Sequence, residues 1–474
     1  MEGIKRLGKQ IFIYGIATVL PRALSFALLP LYTATFDQAS GYGQYVFIYS
    51  WIALFNVLFS YGMETAFFRF YHKSEYPERV LTTSIWAVAA SSFLLLFFGT
   101  IFYSEIAQLT GIEPDYIRKT LYILILDALV VIPFAYVRAQ QQATRYALIR
   151  TIGVLINVGL NVYYFMFSGT RFLGREIDAI FEANTIASAI TLFWLLPVYV
   201  KNRFYFSFSL YKKMLRYALP VMFAGVAFTI NEVFDKIILS RMAGDSAAGI
   251  YGACYKLGVF MTLFATAYRM GVEPFFFREA YSKNKEKQYA DVAYYFVVFA
   301  SIIYLSVMVF LRPIATIFLK NPEYLEGLSI VPFVLLGALF LGVYHNFSVW
   351  YKIQDKTYIG AVISFVGAAI TLVLNILLIP RIGYMASAIA TLTAYGVMMS
   401  VSWYWGRKIY PIPYRIGAMS SYLFVSAGLA AIHFLWFSDR FWVGIIFVLL
   451  FTSFVIAKEQ PLLKQLYLSY VRKH

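Results

Sequence analysis

Residues 42 to 69, YGQYVFIYSWIALFNVLFSYGMETAFFR, align without a gap onto residues 251 to 278, YGACYKLGVFMTLFATAYRMGVEPFFFR. The identical pairs are Tyr42/Tyr251, Gly43/Gly252, Leu54/Leu263, Phe55/Phe264, Gly62/Gly271, Glu64/Glu273, Phe67/Phe276, Phe68/Phe277 and Arg69/Arg278. That density is several times what chance gives and marks an internal repeat. Each copy holds roughly 20 mostly apolar residues, the length a helix needs to cross a bilayer. Each copy also ends on a charged Gly-x-Glu-x-x-Phe-Phe-Arg motif.

Outward from the repeat the same reading continues. The chain has 474 residues, 61% of them hydrophobic and only 14% charged, which excludes a soluble globular enzyme. Apolar runs bounded by charge and turn residues predict spans at 10 to 35, 44 to 68, 80 to 103, 119 to 137, 146 to 167, 179 to 200, 217 to 242, 248 to 276, 291 to 317, 328 to 350, 358 to 380, 384 to 405, 416 to 437 and 441 to 457. The expected fold is therefore an all-α polytopic membrane protein of about 14 transmembrane helices. The formal charge of +16 need not mean nucleic acid. With the N-terminus placed inside, most of the 40 Lys and Arg fall on the inner connections, loop after loop, as the positive-inside rule requires. An even number of spans then leaves both termini in the cytoplasm.

The two repeat copies fall on spans two and eight, six spans apart, so they cross in the same direction. This is a parallel repeat about an axis along the membrane normal. It predicts an N-lobe over 1 to 210 (spans one to six with a linker), a C-lobe over 211 to 410 (spans seven to twelve), and two added helices with a cytoplasmic tail over 411 to 474. A fainter echo relates Gln142 and Tyr146 to Gln354 and Tyr358. The longest connection, 201 to 216, is basic and aromatic and suits an interfacial linker. One cysteine, Cys254, excludes an intramolecular disulfide, and four scattered histidines (His72, His345, His433, His474) leave zinc or haem without ligands. No catalytic residue, metal or cofactor is expected.

The chain resembles the polysaccharide transporters, or Wzx-type oligosaccharide flippases, of the superfamily that also holds the multidrug MATE exporters and the lipid II flippase. The resemblance is carried by Pro21 and Pro30 in the first span, GYGQY at 41 to 45, GMETAFFRF at 62 to 70, LPVMFAGVAFTINEVFDKIIL at 219 to 239, GIYGACYKL at 249 to 257 and LNILLIPRIGYMASAIAT at 374 to 391. It covers essentially the whole chain. It implies translocation of an undecaprenyl-diphosphate-linked oligosaccharide across the bacterial inner membrane, for O-antigen (lipopolysaccharide) or other polysaccharide export. Membrane lipids and other polysaccharide-assembly proteins are the partners it implies. A MATE-like multidrug or cation antiporter is the alternative; a membrane glycosyltransferase or ligase would want a catalytic loop that these short connections lack.

Charges inside spans are where mechanism is expected, because an ionisable group at the bilayer centre is costly and tends to face a cavity. Arg22, some twelve residues into span one beside Pro21, is the leading candidate for holding a diphosphate; an ion pair with Asp127 is the plain alternative. Lys256 and Arg269 in span eight are set beside it as cavity cations, although Lys256 also reads as a snorkelling lysine and Arg269 with Glu273 at i, i+4 as a local pair. In span seven, Asn231, Glu232, Asp235 and Lys236 read equally as a structural polar network or as a coupling site for H⁺ or Na⁺. His345 and Asn346 in span ten read as satisfied interior groups. The repeated motif suggests crossed pairs at the cytoplasmic side, Glu64 with Arg278 and Glu273 with Arg69, acting as a gate.

Overall fold

The computed structural model describes residues 19–168, 172, 174–279, 282 and 284–471. Among them the regular structure is helical throughout. Twelve helices are long and apolar enough to cross a membrane: Ala39–Lys73, Pro77–Ile101, Pro114–Ala139, Ala143–Met166, Glu176–Val200, Phe208–Ala243, Lys285–Val309, Pro322–Ile353, Tyr358–Ile382, Met385–Ile409, Ile416–Trp436 and Phe441–Gln460. A thirteenth candidate is the pair Asp245–Leu257 and Phe260–Glu273, bent by 49°. These coincide one for one with predicted spans two to fourteen. The first predicted span, 10 to 35, lies partly outside the described residues; inside them the helix runs from 19 and continues as Leu29–Thr35. Large apolar side chains stand exposed along the helices, such as Phe93, Leu94, Phe97 and Phe98 on span three. That is the surface of a protein whose solvent is lipid.

The chain packs as two compact units. The first comprises Met1–Lys256, Leu319–Ile330 and Tyr358–Ala394; the second comprises Leu257–Phe318, Val331–Thr357 and Tyr395–His474. The division at 210 and 410 is a statement about the repeat, which packing of this kind does not test. In the first unit, span seven (Phe208–Ala243) lies along the first part of span two (Ala39–Ser60) and along span eleven (Tyr358–Ile382). Span four (Pro114–Ala139) packs between spans three and six, and span six against span five. The N-terminal turns of spans two and eight touch through their backbones: a Cβ on Gly43 would fall 1.7 Å from the Asp245 carbonyl oxygen. The starts of spans two and eight thus meet where only hydrogen fits.

Span two is interrupted. Its first helix stops at Ser60, Tyr61 and Gly62 adopt left-handed φ of 31° and 71°, and a second helix runs Met63–Lys73. A Cβ on Gly62 would also lie 2.4 Å from the Ala218 carbonyl oxygen of span seven. The second copy breaks elsewhere, in a turn at Gly258, and a Cβ on its matching Gly271 meets nothing within 4 Å.

In the second unit, span nine (Lys285–Val309) is the centre, packed against spans ten, thirteen and fourteen. The last two helices are tied to it near the end of span fourteen. The Glu459 carboxylate accepts hydrogen bonds from the Tyr294 hydroxyl and, at 2.7 Å, from the Tyr422 hydroxyl.

Candidate functional site

Span seven carries a closed polar network. Asn231 donates to the Ala227 and Ser364 carbonyls, each at 3.1 Å, and accepts from the Thr371 hydroxyl at 2.9 Å, which ties span seven to span eleven. Thr371 leads to Asn375 and Asn375 to Ser387 of span twelve, at 2.7 and 2.6 Å. One helical turn from Asn231, the fully buried Asp235 accepts from the Lys236 ammonium at 3.0 Å, from the Lys236 backbone N–H at 2.8 Å and from the Tyr251 hydroxyl at 2.6 Å. Lys236 donates to the Glu232 backbone carbonyl at 2.8 Å and stands 3.8 Å from the Tyr255 ring centroid. In sequence, Glu232 stands at i, i+4 to Lys236, with Asp235 within one turn of both. The lysine stem folds back so that its head meets the Glu232 carbonyl oxygen and the Asp235 carboxylate together. The Asp235 charge is neutralised inside the protein and its lone pairs are occupied, as burial of a carboxylate demands.

The second feature is Lys256, at the end of the first half of span eight. Its ammonium lies 5.5 Å from the Tyr42 ring centroid and 5.7 Å from those of Tyr32 and Tyr45. Tyr32 is held by its hydroxyl donating to Asn161 at 3.0 Å. Tyr45 stacks within 4.6 Å of Tyr49, whose hydroxyl accepts from Asn184 at 3.1 Å. Among the described residues no carboxylate lies within ion-pair distance of Lys256. Three ring faces stabilise the ammonium by their quadrupoles without supplying a counter-charge. None of the three tyrosines was read from the sequence as a site residue, yet a signal existed. Tyr42 matches Tyr251 in the repeat, and Tyr251 also sits beside a lysine, 5.6 Å from the Lys236 ammonium.

The remaining predicted residues are distributed as follows. Arg22 lies exposed in the helical residues before Leu28, in the first unit with Lys256. Arg269 is half-buried in the second unit. Its expected local partner, Glu273, pairs instead with Lys352 at 2.7 Å; the short ammonium contact at the end of span ten wins over the i, i+4 neighbour. Asp127, at the middle of span four, accepts from Ser188 at 2.9 Å and Asn56 at 3.4 Å. Asn346 is satisfied by the Tyr268 hydroxyl at 2.5 Å and the Gly342 carbonyl at 3.0 Å.

The repeated motif behaves alike in both units. Glu64 forms an ion pair with Arg138 at the end of span four, as Glu273 does with Lys352 at the end of span ten. Each glutamate therefore has a partner within its own unit. Arg69 lies over the Tyr217 ring at 4.3 Å. The Arg278 side chain falls outside the described residues.

With this geometry described, likeness to known proteins can be set beside it. Residues 7–280 match the family model described as polysaccharide biosynthesis protein, and residues 220–377 match the MatE model. Over 209 residues, 43% of this chain, the sequence is 25% identical to an uncharacterized membrane protein of Methanocaldococcus jannaschii, and that stretch spans 40% of the relative's length. Among solved structures, the lipid II flippase MurJ in an inward closed conformation superposes with a TM-score of 0.78 at 17% identity, covering 94% of this chain and 99% of that one. An inward-facing multidrug resistance MATE family transporter of the MOP superfamily gives 0.64 at 14% identity, covering 85% and 96%. At such identities the likeness establishes the fold.

Proposed function

The chain belongs to the polysaccharide biosynthesis protein family of membrane transporters, and from that premise we propose that it flips an undecaprenyl-diphosphate-linked oligosaccharide by alternating access. The direction is from the cytoplasmic to the outer leaflet of a bacterial inner membrane, for O-antigen or other polysaccharide assembly, with both termini in the cytoplasm. Lobes over 1 to 210 and 211 to 410 move as the repeat implies, with 411 to 474 added outside it. Arg22, Lys256 and Arg269 hold the diphosphate, and the partners are the lipid-linked glycan, membrane lipids and other assembly proteins.

The observation that carries the reading is Lys256, a membrane-embedded ammonium set among three tyrosine rings without a carboxylate partner. An uncompensated cation attracts a diphosphate and repels a cationic drug. The MatE match over 220–377 favours a second reading, a MATE-like cation antiporter. The two separate in proteoliposomes: Lys256→Gln and Arg22→Gln should each lower flipping of the lipid-linked glycan at least tenfold with normal protein yield. Under the cation-export reading the same changes leave drug efflux intact or raise it.

For the span-seven residues, the closed Asp235 and Lys236 network supports a structural role over binding of a coupling H⁺ or Na⁺.

A further inference from the structure

Residues 201 to 216, KNRFYFSFSLYKKMLR, contain Lys201, Arg203, Lys212, Lys213 and Arg216 and no carboxylate. The structure fixes their placement. Residues 203 to 206 carry no regular secondary structure, and Ser207, itself extended, caps the helix Phe208–Ala243, its hydroxyl accepting from the Leu210 N–H at 3.3 Å. That helix has 36 residues, roughly 54 Å at 1.5 Å per residue, against a hydrocarbon core of about 30 Å. The surplus falls on its first turns, before Pro220, because Lys212, Lys213 and Arg216 stand there. On those turns Lys212, Lys213 and Arg216 are exposed while Met214 and Ala218 are buried.

The segment is docked on the start of span three. The Phe204 ring meets Trp86 edge-on at 5.2 Å, Arg79 lies over Tyr76 at 4.5 Å and over Tyr205 at 5.1 Å, and the Ser207 N–H donates to Thr83 at 3.4 Å. Phe204 and Phe208 are nevertheless 71% and 69% exposed, and Phe206 is exposed beside them. None of the five cations has an ion-pair partner among the described residues, and the carboxylates of the neighbouring turn, Glu75 and Glu78, engage none of them. Three exposed phenylalanines on a fixed backbone need an apolar boundary. Exposed cations without a protein counter-ion on the same surface favour phosphate that carries no compensating choline or amine.

We propose that this linker is a docking surface for anionic phospholipid, with Phe204, Phe206 and Phe208 set into the interface and Lys212, Lys213 and Arg216 on the headgroup phosphates. The cations neutralise headgroup charge as polybasic segments do at anionic leaflets, about fivefold in local enrichment for each Lys or Arg. The three helix cations together thus favour phosphatidylglycerol over phosphatidylcholine by about a hundredfold at the linker, an enrichment that salt screens.

The test uses the whole chain in vesicles of nine parts phosphatidylcholine to one part phosphatidylglycerol. Cys254 is buried, so an environment-sensitive dye on the exposed Ser209→Cys reports the linker, with the unsubstituted chain as the labelling control. Bromine is carried on the acyl chains of one lipid or of the other, at equal brominated fraction. The expected result is several-fold stronger quenching by brominated phosphatidylglycerol. The preference should be lost in high salt and in the Lys212→Gln, Lys213→Gln, Arg216→Gln variant, which keeps the phenylalanines and still shows quenching. Equal quenching by the two lipids in the parent chain overturns the proposal, as does absence of quenching by either. A preference that survives the triple substitution places it elsewhere and equally overturns it. None of these outcomes depends on which substrate is transported.

Discussion

Replacing Gly62 with alanine should destabilise the first unit, while the same change at its repeat partner Gly271 should not. Gly62 has φ of 71°, and an L side chain there costs about 1–2 kcal/mol. The new Cβ would also sit 2.4 Å from the Ala218 carbonyl oxygen, about 1 Å inside a normal carbon to oxygen contact. A carbonyl of the span-seven backbone cannot swing away as a side chain would, so the helices must separate, adding about 1–3 kcal/mol. The expected total is about 2–5 kcal/mol. Gly271 is helical, and its added Cβ meets nothing within 4 Å; alanine there removes the glycine penalty and gains up to about 1 kcal/mol. Cys254, fully buried in the first unit and the chain's sole cysteine, supplies the assay. A maleimide dye that fluoresces on reacting with it, followed during heating beside helical circular dichroism, reports opening. Gly62→Ala should lower the temperature of reaction by many degrees, and Gly271→Ala should leave it unchanged or raise it. Equal lowering by both, or no effect at Gly62, would mean that Gly62 is not held against span seven in this way.

Two further outcomes follow from the ion pairs. Single charge reversals at Glu64 or Arg138, both partly exposed, should cost about 1 kcal/mol. The within-unit swap of the two should restore stability and transport in a double-mutant cycle, whereas Glu64→Arg with Arg278→Glu should not; rescue by that crossed combination alone would favour a gate over a clip. Asp235→Asn strands the buried Lys236 ammonium and should lose folded protein, a penalty of about 3–5 kcal/mol, recovered when Lys236→Met accompanies it. Normal yield of Asp235→Asn with loss of dependence on an ion gradient would instead make the network a coupling site.

Much of the fold was legible because a bilayer imposes a length and a charge rule on every helix, so apolar runs and Lys/Arg alternation located spans two to fourteen. The interruption at Tyr61 and Gly62 was not, since a glycine inside an apolar run is ordinary and the close approach of Ala218 of span seven to Gly62 is a tertiary contact. Partners of charges were legible only in kind. The sequence says Glu64 and Glu273 need cations, but Arg138 and Lys352 are brought to them by tertiary packing. Adjacent residues such as Asp235 and Lys236 do not face each other on a helix surface; their pairing relies on the long lysine stem folding back. The tyrosines around Lys256 lay half within reach. Tyr42 and Tyr45 share a helix face at i, i+3, while Tyr32 comes from a different helix.

The most direct measurement of the central claim is flipping itself, with the purified chain in proteoliposomes holding a fluorescent undecaprenyl-diphosphate-linked oligosaccharide and a membrane-impermeant reagent that reads the outer leaflet. The expected result is protein-dependent transfer between leaflets that falls at least tenfold in Lys256→Gln without loss of incorporated protein. Transfer no faster than in protein-free vesicles, or transfer unaffected by Lys256→Gln and Arg22→Gln, would contradict it.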